Sequence, residues 1–165
     1  LTLSACATDG GPPAPSAAVS AKRPATAEFR TADFAWSTAP GKGRIEGQLA
    51  FKGKAYSCAE AGVLLTPQTA WTRQRMMILY KSADHAALPA SEVRGRTPPG
   101  RSADYSAFVR RAACDANGRF AFSSLPDGAW FVITVAKPQA PATGPDMAVM
   151  KLVTTRNGKT ISVKL

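Results

Sequence analysis

The chain has 165 residues, 45% of them hydrophobic and 19% charged. That is enough apolar material for one folded domain with a tail, which excludes wholesale disorder, and no run of about eighteen apolar residues encodes a transmembrane helix. The net charge is +10, and it is uneven: Lys22, Arg23 and Arg30 cancel Asp9, Glu28 and Asp33, so the whole excess lies in 41–165 and favours anionic partners.

In chain order, the first feature is an address. Leu3-Ser4-Ala5-Cys6 matches the small-residue end of a bacterial lipoprotein signal, whose cysteine thiol is acylated and becomes the first mature residue. Residues 1–5 then read as a signal-peptide remnant and Cys6 as the lipidation site. Several acyl chains there would anchor the protein stably, at about 0.8 kcal/mol per buried methylene. Ala7 stands where an Asp would favour inner-membrane retention, so the expected location is the outer membrane, facing the periplasm. Residues 6–40, rich in Ala, Pro, Gly and Ser, read as a lipid-anchored flexible linker. Phe29, Phe34 and Trp36 near its end leave open a packed edge or an extra strand.

From Gly43 the hydrophobic period becomes two. Ile45, Leu49 and Phe51 share one face of the first run. "AGVLLTP", "YSAFVRRAAC", "GRFAFSSLPDG", "AWFVITVAKP", "DMAVMKLVTT" and "GKTISVKL" complete seven predicted strands. The fifth is apolar on both faces, as a central strand is. Turn residues separate the later runs at Asp115–Gly118, Pro126-Asp127-Gly128 and Asn157-Gly158, the last being the sharpest hairpin signal. This spacing predicts a β-sandwich. One segment breaks it: "TAWTRQRMMILY" has Trp71, Arg75, Ile78 and Leu79 at helical spacing behind a capping Thr69, and predicts a helix over 69–80. Residues 81–104 are expected to form a long basic loop.

With Cys6 lipidated, two cysteines remain, and an even remainder in an exported protein predicts a Cys58–Cys114 disulfide. It would contribute on the order of 4 kcal/mol by constraining the unfolded chain. Enzyme chemistry is poorly provided for. His85 is the single histidine, no carboxylate pair stands out, and neither a zinc-binding nor a nucleophile-elbow motif occurs, so no catalytic residue, metal or cofactor is expected. Arg94, Arg96, Arg101, Arg110 and Arg111 form a candidate polyanion-binding cluster, against the plainer reading of a solvated face. No nucleic-acid motif accompanies them, so nucleic acid is not an expected partner. Of the aromatics Trp71, Trp130, Tyr56, Tyr80 and Tyr105, Trp130 belongs to the most apolar strand and reads as core. Trp71 and Tyr80 are the candidate glycan-stacking residues, although Trp71 also reads as the anchor of the helix.

Residues 114–138, with Asp115, Gly118, Phe120, Phe122, Leu125, Pro126, Gly128 and Trp130 in place, resemble the signature of carboxypeptidase regulatory-like domains, which are transthyretin-like (prealbumin-like) sandwiches. Gly43, Ile45 and Gly47 resemble that family's first strand. The arrangement from Cys58 to Phe120 is similar to that of small proteobacterial lipoproteins carrying this domain. The resemblance implies an all-β fold over 41–165: a seven-stranded Ig-like or prealbumin-like β-sandwich with the helical insertion at about 69–80 and a disordered N-terminal tail. It carries no peptidase activity, because no catalytic domain accompanies it. The expectation for function is a non-catalytic, lipid-anchored binding or structural module of the cell envelope, with an envelope protein or an anionic glycan or lipid as partner. A carbohydrate-binding module is the alternative, and an accessory or inhibitor of an envelope enzyme stands behind both.

Overall fold

Two sheets face each other, and helices cover part of the larger one. The computed structural model describes residues 26–96 and 104–165; Cys6, the proposed remnant 1–5 and Arg101 lie outside the described residues. The elements in chain order are β1 (Gly43–Gln48), β2 (Tyr56–Ser57), β3 (Val63–Pro67), α1 (Ala70–Tyr80), β4 (His85–Pro89), α2 (Ala90–Gly95), β5 (Arg110–Ala112), β6 (Arg119–Leu125), β7 (Gly128–Pro138), β8 (Met147–Thr155) and β9 (Thr160–Lys164). The small sheet runs β6-β1-β9, with β1 antiparallel to β6 and parallel to β9. The large sheet runs β4-β8-β7-β3-β5, and β2 pairs with the far end of β7. No helix among the described residues is long and apolar enough to cross a membrane.

The core lies between the sheets. Ile45, Phe120, Phe122, Leu125 and Val163 from the small sheet meet Val63, Leu65, Trp130, Val132 and Val149 from the large one. Trp130 is fully buried and donates its indole N–H to Thr155 Oγ1 at 3.1 Å, so its one polar atom is satisfied. In β1 the side chains alternate buried and exposed, as a half-buried strand requires. β7 is different, because both its faces are covered. Phe131 on its outer side is fully buried under Met76 and Tyr80 of α1, while Ala148 and Met150 of β8 join the same cluster with Ala90 and Val93 of α2.

All seven predicted runs contain strands. Two more strands form outside those runs: β2, between the first and second of them, and β4, within the segment read as a loop. His85, expected in a loop, opens β4, which pairs along β8 from His85 opposite Lys151 to Pro89 opposite Met147. Together with α2, β4 replaces most of the expected loop over its described part. The helix forms as expected. Thr69 accepts from the Thr72 amide at 3.1 Å, and Thr72 Oγ1 accepts from the Thr69 amide at 2.7 Å, which closes both ends of a capping box. Its buried stripe is Thr72, Met76 and Tyr80, one residue round from the Trp71 and Arg75 face.

Two further expectations are corrected. The turns at 115–118, 126–128 and 157–158 have the expected chemistry. Asp115 Oδ1 accepts from the amides of Asn117 and Arg119, Gly118 takes φ 75°, and Asn157 and Gly158 take φ 56° and 63°. None of them is a hairpin within a sheet: each passes the chain from one sheet to the other. The linker expected to reach residue 40 ends earlier. Residues Thr31–Thr38 form a 3₁₀ segment with Phe34 fully buried against Phe108 and Phe29, and with the Trp36 ring lying on Gly128 and edge-on to Trp130 at 4.8 Å. A side chain at position 128 would collide with that ring, so the glycine is required for close approach rather than for the turn alone.

Cys58 and Cys114 form a disulfide across 56 residues, with Cα atoms 5.6 Å apart. It ties the β2–β3 connection to the crossing from β5 into β6.

Candidate functional site

The arginine cluster does not converge. Arg110 turns inward: its guanidinium lies 5.6 Å from the Trp130 ring centre and donates to Ser37 O at 3.0 Å, bracing the 31–38 segment against the sandwich. Arg96 donates to Leu79 O and to Glu92 Oε2, each at 3.0 Å, and so closes the end of α1. Arg94 is exposed on α2, close enough to Lys137 to oppose the rise that Glu60 produces in the lysine's pKa. Arg111 faces an opening. Tyr80 is 7% exposed and belongs to the core beneath α1, so it offers no face for stacking. Burial pushes its hydroxyl up to about 12; Tyr105 adds to the rise and Arg75 opposes it. Trp71 is half-buried among Phe29, Tyr105 and Arg75, in an aromatic seam that joins the N-terminal segment, α1 and residues 105–108.

The opening is a groove of about 460 Å³ on the outer face of the large sheet, where α1 stops covering it. Its floor is Leu64 of β3 and Ile133 of β7, which face each other across the ladder, with Thr66 beside them. One wall is Tyr105 and Val109, the other Arg75 of α1, and Arg111, paired with Leu64, stands at the β5 margin. Arg75 is one helical turn from Trp71, which brings the guanidinium against that indole. The contact distances are 5.7 Å to the Trp71 ring centre and 5.6 Å to that of Tyr105. Such contacts fix orientation and contribute about 0.5–1 kcal/mol each at partly exposed sites. They supply no hydrogen-bond acceptor. Arg75 Nε is buried and has no partner among the described residues, an omission that costs about 1–3 kcal/mol.

The groove also holds one carboxylate. Asp104 Oδ1 accepts from Ser106 Oγ at 2.6 Å and from the Ser106 amide at 3.0 Å. The hydroxyl bond, then the amide bond, keep this fully exposed carboxyl below its usual range. Among the described residues no three His, Cys, Asp or Glu side chains gather as a metal site. A second depression, at the disulfide end, is lined by Lys54, Arg119 and Lys164 with Tyr56 and Asn117; it has no unsatisfied buried group among the described residues.

No family model matches the chain, and no curated protein matches it. The fold is similar to that of a candidate carbohydrate-binding protein from Pseudomonas aeruginosa. The TM-score is 0.58 at 21% identity, over 85% of this chain and 99% of that one. A minor pilin from Streptococcus agalactiae is a more distant match, with a TM-score of 0.32 at 15% identity over 79% of this chain and 44% of the pilin. The first likeness places the chain among β-sandwiches.

Sequence reasoning picked Trp71, Tyr80 and Arg111 near this groove, and it passed over Arg75 as a site residue. The Trp71–Arg75 spacing was visible as helix pattern. Its meaning depends on Tyr105, which arrives from a segment thirty residues further along the chain.

Proposed function

We propose that the protein is a non-catalytic binding module of the cell envelope, held by lipid on Cys6, and that its ligand is a glycan seated in the groove between α1 and residues 104–109. The observation that carries this reading is the groove itself. A tyrosine ring, an apolar floor of Leu64 and Ile133 and a guanidinium whose Nε has no partner among the described residues lie together on a sheet face that is largely covered elsewhere. Sugar rings present apolar C–H faces and a rim of hydroxyls, and a wall of this mixed kind suits both. The fold neighbour described as a candidate carbohydrate-binding protein points in the same direction by analogy. At family level, the 114–138 motif supports a carboxypeptidase regulatory-like sandwich. Its residues have folding roles here: Phe120 and Phe122 fill the core, and Gly118 and Gly128 serve the crossings at 115–118 and 126–128.

Calorimetric titration with a panel of neutral and acidic oligosaccharides tests the ligand. At least one is expected to bind the wild type, and Tyr105→Ala is expected to weaken it by about tenfold, in line with the loss of one aromatic contact. A panel without binding, or binding indifferent to Tyr105→Ala, would remove the groove reading and return the protein to an envelope-protein partner. The anchor is tested separately, by membrane fractionation of the full-length precursor carrying Cys6→Ser: the variant is expected in the soluble fraction.

A further inference from the structure

We infer that the groove selects an acidic glycan, with Arg75 taking the acid group and Arg111 supporting it from the margin. This deepens the glycan reading above and rests on it.

The argument begins with how this chain treats its other arginines. Arg110 finds the carbonyl of Ser37 and Arg96 the carbonyl of Leu79. Arg30, Arg44 and Arg96 also pair with Asp33, Glu46 and Glu92. Arg75 is half-buried, which makes its need for a partner greater, and yet its Nε is buried without an acceptor among the described residues. A guanidinium offers five N–H donors in a planar fork, and two of its neighbours are aromatic rings, which attract the charge but accept no conventional hydrogen bond. The groove's own carboxylate does not answer the need, because Asp104 is turned to Ser106 and forms no ion pair with Arg75 or Arg111. Two cations therefore border a groove whose single anion is already engaged. A planar or tetrahedral acid group entering the groove would supply acceptors to the outer nitrogens of this fork. Apolar floor and tyrosine wall place that acid group on a sugar rather than on a free inorganic anion, for which the floor would contribute nothing.

The test uses the folded protein and two matched probes: an oligogalacturonate, and the same oligomer with its carboxyl groups reduced to alcohols. Isothermal titration is expected to show the acidic oligomer binding at least about tenfold more tightly, since charge-assisted bonds of this kind are worth that much or more. Arg75→Gln is expected to abolish the preference, Arg111→Gln to reduce it, and Arg156→Gln, an exposed change of the same charge in a distant turn, to leave it within about twofold. Arg111 is exposed, so its variant folds even where Arg75→Gln does not. A sulfated oligosaccharide of equal length shows whether the fork accepts sulfate as well as carboxylate; Arg75-dependent binding of either supports the inference. Equal binding of the acidic and reduced oligomers would overturn it and leave the glycan reading standing. Binding of neither overturns both. A loss with Arg156→Gln as large as with Arg75→Gln would also overturn it, because diffuse attraction by the net charge would then explain the preference.

Discussion

The two sheets solve the same problem differently. The small sheet buries one face and leaves the other polar: Arg44, Glu46, Gln48, Ser162 and Lys164 all point to solvent. The large sheet buries its inner face against the small one and also covers most of its outer face with α1, α2 and the seam of aromatics leading back to Phe34. A face covered by helices of finite length has an edge, and the groove lies at that edge. The small sheet carries a depression of about 590 Å³ on its polar face, lined by Arg44, Glu46, Arg119 and Lys164, but among the described residues no buried side-chain donor is left without a partner there. The groove proposed as the ligand site is created by incomplete covering of the large sheet.

The comparison can be broken most forcefully at Phe131. Phe131→Ala, beneath α1, is expected to destabilise the fold by about 3–5 kcal/mol, while Ser162→Ala on the bare face of the small sheet is expected to stay within about 0.5 kcal/mol. Denaturant titration of both variants decides it, and similar losses would mean that the helical layer does not contribute as a second core. A smaller effect is tied to pH. The Tyr80 hydroxyl ionises near 12 in the folded protein against an ordinary 10.0. The folded state thus holds this proton more firmly than the unfolded chain. The associated stability is complete below pH 10 and is lost as pH rises from about 10 to 12, on the order of 2–3 kcal/mol at most. Tyr80→Phe is expected to flatten that part of the alkaline decline, read as the change in unfolding free energy between pH 9 and about 11.5; an unchanged slope would place the hydroxyl in water. The smallest effect sharpens the comparison at the start of α1, where Thr69→Ala removes the cap and is expected to cost about 1 kcal/mol by thermal melting.

What the sequence revealed, and what it withheld, follows the same division. Alternation in β1 and β6 was legible because one face of each is wet. β7 was legible as a central strand because it is apolar throughout, and Thr69 as a cap because its side chain acts on the residue three positions on. β4 was not, because "HAALP" has little strand propensity of its own and is held in place by β8. Asn157-Gly158 announced its turn faithfully, but a turn's chemistry fixes only local dihedral angles. Whether the two strands it joins then pair or diverge depends on β1 claiming β9 in the other sheet. Phe34 was hidden by the Ala/Pro-rich sequence before it, which resembles a tether until its aromatic partners are in place. The candidate site required contact between α1 and residues 104–109, and no local pattern encodes that.

Arg110 and Arg111 sit side by side on a strand of three residues, one facing the Trp130 core and the other the groove. A shift of β5 by one position against β3 would turn every side chain of the strand to the opposite face, and Arg110 would leave the indole. The bond from Arg110 to Ser37 O, which braces the 31–38 segment, would be lost with it. The placements of Arg111 at the groove and of the 31–38 segment on the sandwich are thus set by one alignment, and Cys114, two residues past the end of β5, is covalently tethered to Cys58 where it can hold that alignment in place.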